Sequence, residues 1–344
     1  MSPAREIAFR VLLRVAKGGY ATDLLRREAA AARDLALAEA IVLGCLRYQA
    51  QLDHLIGVYS GRPALKLDEE VRVALRMGIF QLRYLDRIPA HAAVADSVEL
   101  VKRARKRSAT GLVNAVLRKV DRAAVPWPDR ATELSMPAWM LERWDRQYGG
   151  EAASAIARAA LEEPRTPVNP ATGRQQDIGA QSIVPLLAIE PGMTVLDLCA
   201  APGNKTAQAL AAGSRVVACD RYLRRLLEVP AEAARVVVDA SEPLPFSAKF
   251  DRVLVDAPCS GTGTLARNPE IKWRLQPEDL GRFTALQRKI LANARAALKP
   301  GGRLVYATCS LEREENEEVA GGGETYLRLP GRDSGDGFFA AVLT

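Results

Sequence analysis

Five short apolar segments rich in β-branched residues lie in the second half of the chain, and they constrain the fold more than any other feature. Helical or Pro/Gly-rich stretches separate them. The segments span residues 195–198, 215–218, 235–238, 253–255 and 303–306. Apolar strands that alternate with helices are typical of a parallel sheet covered on both faces. The pattern predicts a doubly wound α/β domain with a mostly parallel sheet.

Residues 1–150 show helical periodicity instead. Ser2 and Pro3 provide an N-cap and a first-turn proline, and apolar residues then recur at helical spacing. Asp34 and Asp68 precede further stretches of this kind. We therefore expect a small helical bundle ahead of the α/β domain, which agrees with the two domains expected for 344 residues.

The net charge of +7 is concentrated in the first half. Residues 1–150 contain 25 Lys and Arg against 17 Asp and Glu, whereas the remainder contains 23 against 24. The densest basic cluster consists of Lys102, Arg103, Arg105, Lys106 and Arg107. A run of this kind is usually a solvated helix end, but in a basic domain it favours contact with nucleic acid phosphates.

The remaining composition restricts the cellular setting. No apolar run approaches the length of about 20 residues that a membrane span needs, and no secretory signal is recognisable. The five cysteines are widely spaced and form no CxxC pair, which argues against a disulfide framework or a zinc site. We expect a cytoplasmic protein with reduced thiols, no metal and no membrane partner. A monomer is the default oligomeric state.

Acidic residues follow several of the predicted strands. Asp220, Asp239 and Asp256 end the second, third and fourth strands, and the loop at residues 197–206 follows the first. Ligands of open α/β sheets bind at the carboxyl ends of the strands. Small residues in the loop allow close backbone approach, but neither a Walker motif nor GxGxxG is present. These features suit a nucleoside cofactor.

Two cysteines lie at strand ends, in the segments DAPCSGTGT at 256–264 and ATCS at 307–310. Together with DLCAAPGNKT at 197–206, they make the chain resemble the bacterial small-subunit ribosomal RNA cytosine-5 methyltransferases of the NOL/NOP/Sun family. Residues 1–122, with TGLVNAVLR at 110–118, resemble the NusB-type RNA-binding domain. The resemblance implies a NusB-like domain at 1–125, a linker with a shortened RNA-binding subdomain at 126–185 and a Rossmann-like methyltransferase domain at 186–344.

The resemblance also implies the roles of individual residues. Cys309 would be the nucleophile that attacks carbon 6 of cytosine, and Cys259 would help to release the product. Asp256 would hold the base, with Lys205 as its charge partner. The residues expected to bind S-adenosylmethionine are Cys199, Ala200, Ala201, Pro202, Gly203, Lys205, Asp220, Arg225, Asp239 and Asp256. The thiols of Cys45, Cys199 and Cys219 are interpreted as small apolar groups.

The chain departs from the family pattern at several points. Residues 165–180 are shorter than the family's RNA-binding subdomain, Asn204 replaces a glycine, and the segments after Asp220 and Val319 are trimmed. Two alternatives therefore stay open beside an rRNA methyltransferase. One is a non-catalytic RNA-binding or ribosome assembly factor, and the other is a methyltransferase that acts on tRNA or DNA. Both cysteines, Asp256 and Lys205 favour an enzyme.

Overall fold

The computed structural model describes residues 1–344, which form two compact units. The first comprises Met1–Glu162 together with Leu265–Trp273, and the second comprises Glu163–Thr264 and Arg274–Thr344. The chain therefore leaves the second unit after Thr264, contributes nine residues to the first and returns at Arg274. No helix combines the length and hydrophobicity that crossing a membrane requires.

The first unit is helical, as the periodicity predicts. Its helices are α1 (Pro3–Ala16), α2 (Ala21–Arg26), α3 (Ala32–Arg47), α4 (Gln49–Ser60), α5 (Glu69–Tyr84), α6 (Ala90–Arg103), α7 (Thr110–Leu117), α8 (Arg130–Glu133), α9 (Ala138–Tyr148) and α10 (Gly150–Ala159). The apolar faces of α1 and α3 to α7 share one core. Ser2 and Asp68 occupy N-cap positions without a side-chain cap bond, and Asp34 lies in the first turn of α3.

The second unit contains a seven-stranded sheet in the order β3-β2-β1-β4-β5-β7-β6. The strands are β1 (Thr194–Leu198), β2 (Arg215–Asp220), β3 (Ala234–Val237), β4 (Phe250–Asp256), β5 (Leu298–Thr308), β6 (Glu324–Arg328) and β7 (Phe338–Leu343). β1 to β5 pair in parallel, and β7 is antiparallel to both β5 and β6. The five predicted strands and the doubly wound fold are confirmed. β6 and β7 were not predicted, and β3 ends two residues before Asp239.

Apolar residues of the strands alternate between two cores. Leu196, Val253 and Leu304 pack on one face of the sheet, whereas Val195 and Val305 pack on the other. The helices of this unit are α11 (Ile178–Gln181), α12 (Asn204–Ala211), α13 (Leu223–Leu226), α15 (Leu280–Ala297) and α16 (Glu317–Ala320). A further helix, α14 (Ile271–Arg274), ends where the chain returns to this unit. This two-faced burial explains the near-continuous apolar character of the strands.

The segment Leu265–Trp273 is built into the first unit by polar groups. Lys272 is 1% exposed, and its ammonium donates to the carbonyl of Arg47 at 2.8 Å. Glu270 is 2% exposed and accepts a hydrogen bond from the backbone amide of Ala21 at 2.9 Å. Burial lowers the pKa of Lys272 to about 7, and the positive charge of Arg47 acts in the same direction.

Lys272 should make the stability of the protein depend on pH. Its folded-state pKa lies below the unfolded value of about 10.4, so the folded protein binds fewer protons between these values and gains stability as the pH rises through them. Between about pH 6.5 and about pH 9.5, the Tm of wild type is expected to rise relative to that of Lys272→Met by roughly 5 °C. Thermal unfolding of both proteins at several pH values measures this difference in Tm, and a variant at an exposed lysine, Lys289→Met, is the control. If the Tm of wild type and that of Lys272→Met changed in parallel with pH, the prediction would be contradicted.

Candidate active site

The loop between β1 and α12 lies at the carboxyl edge of the sheet and is tightly packed. Cys199 and Gly203 have positive φ angles of 64° and 95°, and the Ala201–Pro202 peptide bond is cis. A Cβ atom at position 203 would lie 2.7 Å from both Cα of Val229 and Cδ of Pro230. Only glycine fits there, because both the φ angle and the neighbouring atoms exclude a side chain.

Polar side chains fix this loop from two directions. Arg225 Nη2 donates to the carbonyl of Ala201 at 3.2 Å. Asn204 accepts from Arg174 Nε at 2.8 Å and donates to the carbonyl of Gln175 at 3.2 Å. The residue that replaces the family's glycine therefore ties the shortened 165–180 segment to the loop.

Asp220 is the last residue of β2, and Asp239 lies two residues beyond the end of β3, its parallel neighbour. The carboxylate of Asp220 is largely buried and accepts from the backbone amide of Tyr222 at 2.9 Å. Asp239 accepts from the hydroxyl and amide of Ser241 at 2.6 and 3.1 Å, and these bonds hold its pKa below the usual value. Arg221 lies 3.4 Å from Asp239. The two carboxylates can accept hydrogen bonds from ligand hydroxyl or amino groups at one edge of the sheet.

An ion pair between the buried Lys205 and the partly exposed Asp256 joins α12 to the end of β4. Lys205 Nζ lies 2.6 Å from Asp256 Oδ2 and 5.1 Å from the centre of the Phe338 ring. Burial alone would lower the pKa of Lys205, but the charge and hydrogen bond of Asp256 outweigh it, and the pKa is raised. Asp197 accepts from Thr206 Oγ1 at 2.6 Å, and burial raises its pKa to about 7. Lys205 and Asp256 therefore form a firmly placed charge pair.

The two strand-end cysteines lie together. The Sγ atoms of Cys259 and Cys309 are 3.4 Å apart, although the residues are separated by 50 positions in the chain. The hydrogen bond with Cys309 and burial together raise the pKa of Cys259 well above its ordinary value. Cys259 therefore retains its proton and can donate it towards the sulfur of Cys309. Cys309 also lies near enough to Lys205 to contribute to the raised pKa of that lysine.

The other three cysteines lie in unreactive surroundings. Cys45 and Cys219 are buried and Cys199 is partly exposed. Burial raises the pKa of all three thiols, to about 12 for Cys219. A thiol that keeps its proton is a poor nucleophile. These thiols therefore serve as small packing groups.

The polar groups beneath the two cysteines are not among the residues predicted from the sequence. Ser260 and Ser310, which follow the cysteines directly, both donate to the carboxylate of Glu315. Glu315 belongs to an acidic run at residues 312–318 that looks like a solvated surface, yet Glu312 and Glu315 are both fully buried. The one feature of the sequence that could have indicated a buried role for Glu315 is that this acidic run closely follows the strand-end Cys309.

Comparison with known proteins agrees with this architecture. Residues 2–122 match the model of the NusB family, and residues 184–323 match that of the 16S rRNA methyltransferase RsmB/F family. Ribosomal RNA small subunit methyltransferase B of Thermus thermophilus is 38% identical in an alignment of 351 positions that covers 92% of this chain and 85% of that protein. The chain belongs to this methyltransferase family.

Other members and one solved structure extend the comparison. Ribosomal RNA small subunit methyltransferase B of Cronobacter sakazakii is 33% identical in an alignment of 389 positions that covers 90% of each chain. The crystal structure of PH0851 superimposes with a TM-score of 0.74 at 21% identity, covering 99% of this chain and 98% of that one. The sheet unit thus has the Rossmann-like fold of methyltransferases, and the predicted family and NusB-like first domain are confirmed.

Proposed function

We propose that this protein methylates carbon 5 of a cytosine in small-subunit ribosomal RNA, with S-adenosylmethionine as the methyl donor. The observation that carries the proposal is the 3.4 Å separation between Sγ of Cys259 and Sγ of Cys309. The names of the relatives support ribosomal RNA as the substrate. The paired sulfurs support cytosine chemistry, because carbon 5 becomes nucleophilic only after a thiolate adds to carbon 6.

The two sulfurs take different roles in this proposal. The Cys309 thiolate adds to carbon 6, and the electron pair of the ring double bond moves to carbon 5, which accepts the methyl group. Water then takes the proton from carbon 5, the double bond is restored and the Cys309 thiolate leaves carbon 6. Cys259, which the raised pKa keeps protonated, donates a hydrogen bond to the departing sulfur and so assists this release.

In this proposal, Asp256 holds the base in its electrophilic form. Protonation of the cytosine ring nitrogen makes carbon 6 a better acceptor for a thiolate, and a carboxylate stabilises that protonated form. The ion pair with Lys205 holds the carboxylate of Asp256 in a fixed position. The partly exposed carboxylate of Asp256 can accept a further hydrogen bond, whereas Lys205 is buried.

The loop and the two carboxylates described above fit a nucleoside donor. Gly203 allows the loop to pack closely against Val229 and Pro230. Asp220 and Asp239 offer acceptors for ribose hydroxyls and an amino group. Arg225 holds the carbonyl of Ala201 in place. When bound, S-adenosylmethionine supplies a methyl group on a positively charged sulfur. This set of residues supports the assignment of the donor.

Replacing Asp220 with alanine is expected to weaken donor binding about 10- to 100-fold, because a hydrogen bond to a charged group contributes roughly 1.5–3 kcal/mol. Isothermal titration calorimetry with S-adenosylmethionine measures the effect. The exposed Glu278→Ala serves as control and should bind normally. Unchanged affinity in a folded Asp220→Ala protein would place the ribose elsewhere.

The basic cluster is less available for RNA than its sequence indicates. Three of its five cations are paired with acidic residues of the same unit. These pairs are Lys102–Glu99, Arg103–Glu99, Arg103–Glu6, Lys106–Asp68 and Lys106–Glu70. Arg105 and Arg107 form none of these ion pairs. They line a surface pocket together with the paired residues Glu99, Lys102 and Arg103 and with Ser108. We propose these two arginines as the phosphate contacts of this surface.

Changing both Arg105 and Arg107 to glutamine is expected to lower RNA affinity several-fold and to reduce the salt dependence of binding by a slope of about 1 to 2. Titration of labelled RNA at several salt concentrations measures both quantities. The double variant Lys102→Gln/Arg103→Gln is the matched control, since its cations already have partners. Equal losses in the two variants would refute a specific role for Arg105 and Arg107.

Bisulphite sequencing tests the proposed function directly. Small-subunit rRNA from cells with the gene should contain a protected cytosine that is absent from cells without it, whereas tRNA should be unchanged. Loss of protection confined to tRNA would favour the tRNA alternative. Identical patterns in both RNAs would favour a non-catalytic assembly factor. We also propose a cytoplasmic location for the protein, because its proposed substrate is ribosomal RNA.

A further inference from the structure

A single buried carboxylate lies beneath both cysteine loops. The side chain of Glu315 is fully buried. Its Oε1 atom accepts from the backbone amide of Ser260 and from Gln287 Nε2, both at 2.9 Å. Its Oε2 atom accepts from Ser310 Oγ at 2.5 Å and from the hydroxyl of Ser260. Each oxygen is therefore saturated by two donors.

The donors come from the residues that follow the two cysteines. Ser260 follows Cys259 in the loop after β4, and Ser310 follows Cys309 in the loop after β5. The two serine hydroxyls also lie 3.0 Å from each other. One carboxylate thus links two loops that lie beyond the last β4–β5 pair, Asp256 with Ala307. The loops are also joined by the backbone amide of Gly263, which donates to the carbonyl of Cys309 at 2.9 Å.

Other bonds hold Glu315 itself in place. Its carbonyl accepts from the buried Tyr306 hydroxyl of β5 at 2.6 Å. The next residue, Asn316, accepts from Thr308 Oγ1 at 2.5 Å and donates to the carbonyl of Ser310 at 2.9 Å. Gln287 of α15 additionally donates to the carbonyl of Pro258. The carboxylate is therefore a fixed reference point for both loops.

Glutamine cannot replace this carboxylate without loss. A buried carboxylate is costly unless hydrogen bonds satisfy it, and here all four donors point at acceptor oxygens. In Glu315→Gln, one oxygen becomes an NH₂ group that can only donate, so the hydroxyls of Ser260 and Ser310 must rotate to accept from it. The charge that strengthens all four hydrogen bonds is also lost, and both loops are then held less firmly. Displacements of about 1 Å can reduce rates about a hundredfold when reacting groups must be aligned.

We propose that Glu315 is a positioning residue that holds the sulfurs of Cys259 and Cys309 side by side for attack and release. This role rests on the proposed cytosine chemistry, but the sulfur geometry can be measured separately. Glu315 does not touch the reacting atoms. It acts through Ser260 and Ser310, and it sets the distance between the two thiols.

Phenylarsine oxide provides a test that needs no RNA, because its arsenic binds two neighbouring thiols with loss of water and without oxidation. The full-length wild type should bind it at the cysteine pair, and Cys259→Ser should not. Glu315→Gln should bind it at least about tenfold more weakly. Asp251→Asn is the matched control, since its carboxylate accepts from Thr194 and Lys299 at the start of β4, away from the cysteines. It should bind like wild type.

Kinetics provide the second measurement. Glu315→Gln should lower kcat for methyl transfer roughly a hundredfold, with KM for RNA and the affinity for S-adenosylmethionine within about threefold of wild type. If Glu315→Gln does not fold, Ser310→Ala removes one bridging hydroxyl and should lower kcat about tenfold. Wild-type arsenical binding and kcat in a folded variant would overturn the proposal. If Glu315→Gln bound the arsenical more weakly but wild type did not methylate RNA, the positioning role would be upheld and the proposed function would be refuted.

Discussion

Cys309→Ala is expected to reduce methyl transfer to RNA at least about a thousandfold, because removal of an attacking nucleophile eliminates the covalent route. Binding of S-adenosylmethionine should be unchanged, since the thiolate does not hold the donor. Transfer of a radioactive methyl group to small-subunit rRNA measures the rate, and calorimetry measures donor binding. Activity of the variant within tenfold of wild type would refute attack by Cys309.

Replacement of a different buried cysteine tests whether the loss of activity is specific to Cys309. Cys45 lies buried in the first unit, where burial raises its pKa. Cys45→Ala should therefore retain activity, with at most a modest loss of stability. If Cys45→Ala and Cys309→Ala lost activity equally, the loss would have to come from folding.

Cys259→Ala is expected to stop turnover in a different way, by trapping the protein on its RNA. The Cys309 thiolate can still attack and the methyl group can still be transferred, but release fails without the thiol that lies 3.4 Å away. A denaturing gel with labelled RNA should show a shifted band that contains both protein and RNA. Wild type should show little of this band, because its adduct is resolved.

The double variant Cys259→Ala/Cys309→Ala is the control for this trapping. It should form no denaturant-stable adduct, because the sulfur that bonds carbon 6 is gone. An adduct in the double variant would mean that another residue attacks the base. Absence of the adduct in Cys259→Ala, alongside an active wild type, would contradict the release role.

Local sequence patterns were sufficient to predict the sheet that carries the site. β1 to β5 were predictable because buried parallel strands need apolar, β-branched residues on both faces. β6 was not, since Glu324–Arg328 is an edge strand with exposed polar residues that follows three glycines. β7 was missed although all six residues are buried, because a short apolar run does not distinguish a strand from a helix.

Local sequence also predicted that the candidate site residues lie at the edge of the sheet formed by the carboxyl ends of the parallel strands. Asp220 and Asp256 end strands, and Cys259 and Cys309 lie in the loops after β4 and β5. The ends of parallel strands share one edge, so the order of strands and loops predicts which side chains lie near one another. The catalytic and binding roles of these residues remain predictions that the variants above would test.

The sequence by itself determined the fold class and the family, and it predicted the edge of the sheet at which the candidate site residues lie. Only the tertiary structure decided which charged groups are buried and which are paired. Glu315 looks like part of a solvated acidic run but is enclosed by four donors, whereas Lys102 and Lys106 look available for phosphates but have acidic partners. Periodicity reports the local preference of a segment, whereas the partners of a charged side chain come from residues that are distant in the chain and adjacent only after folding.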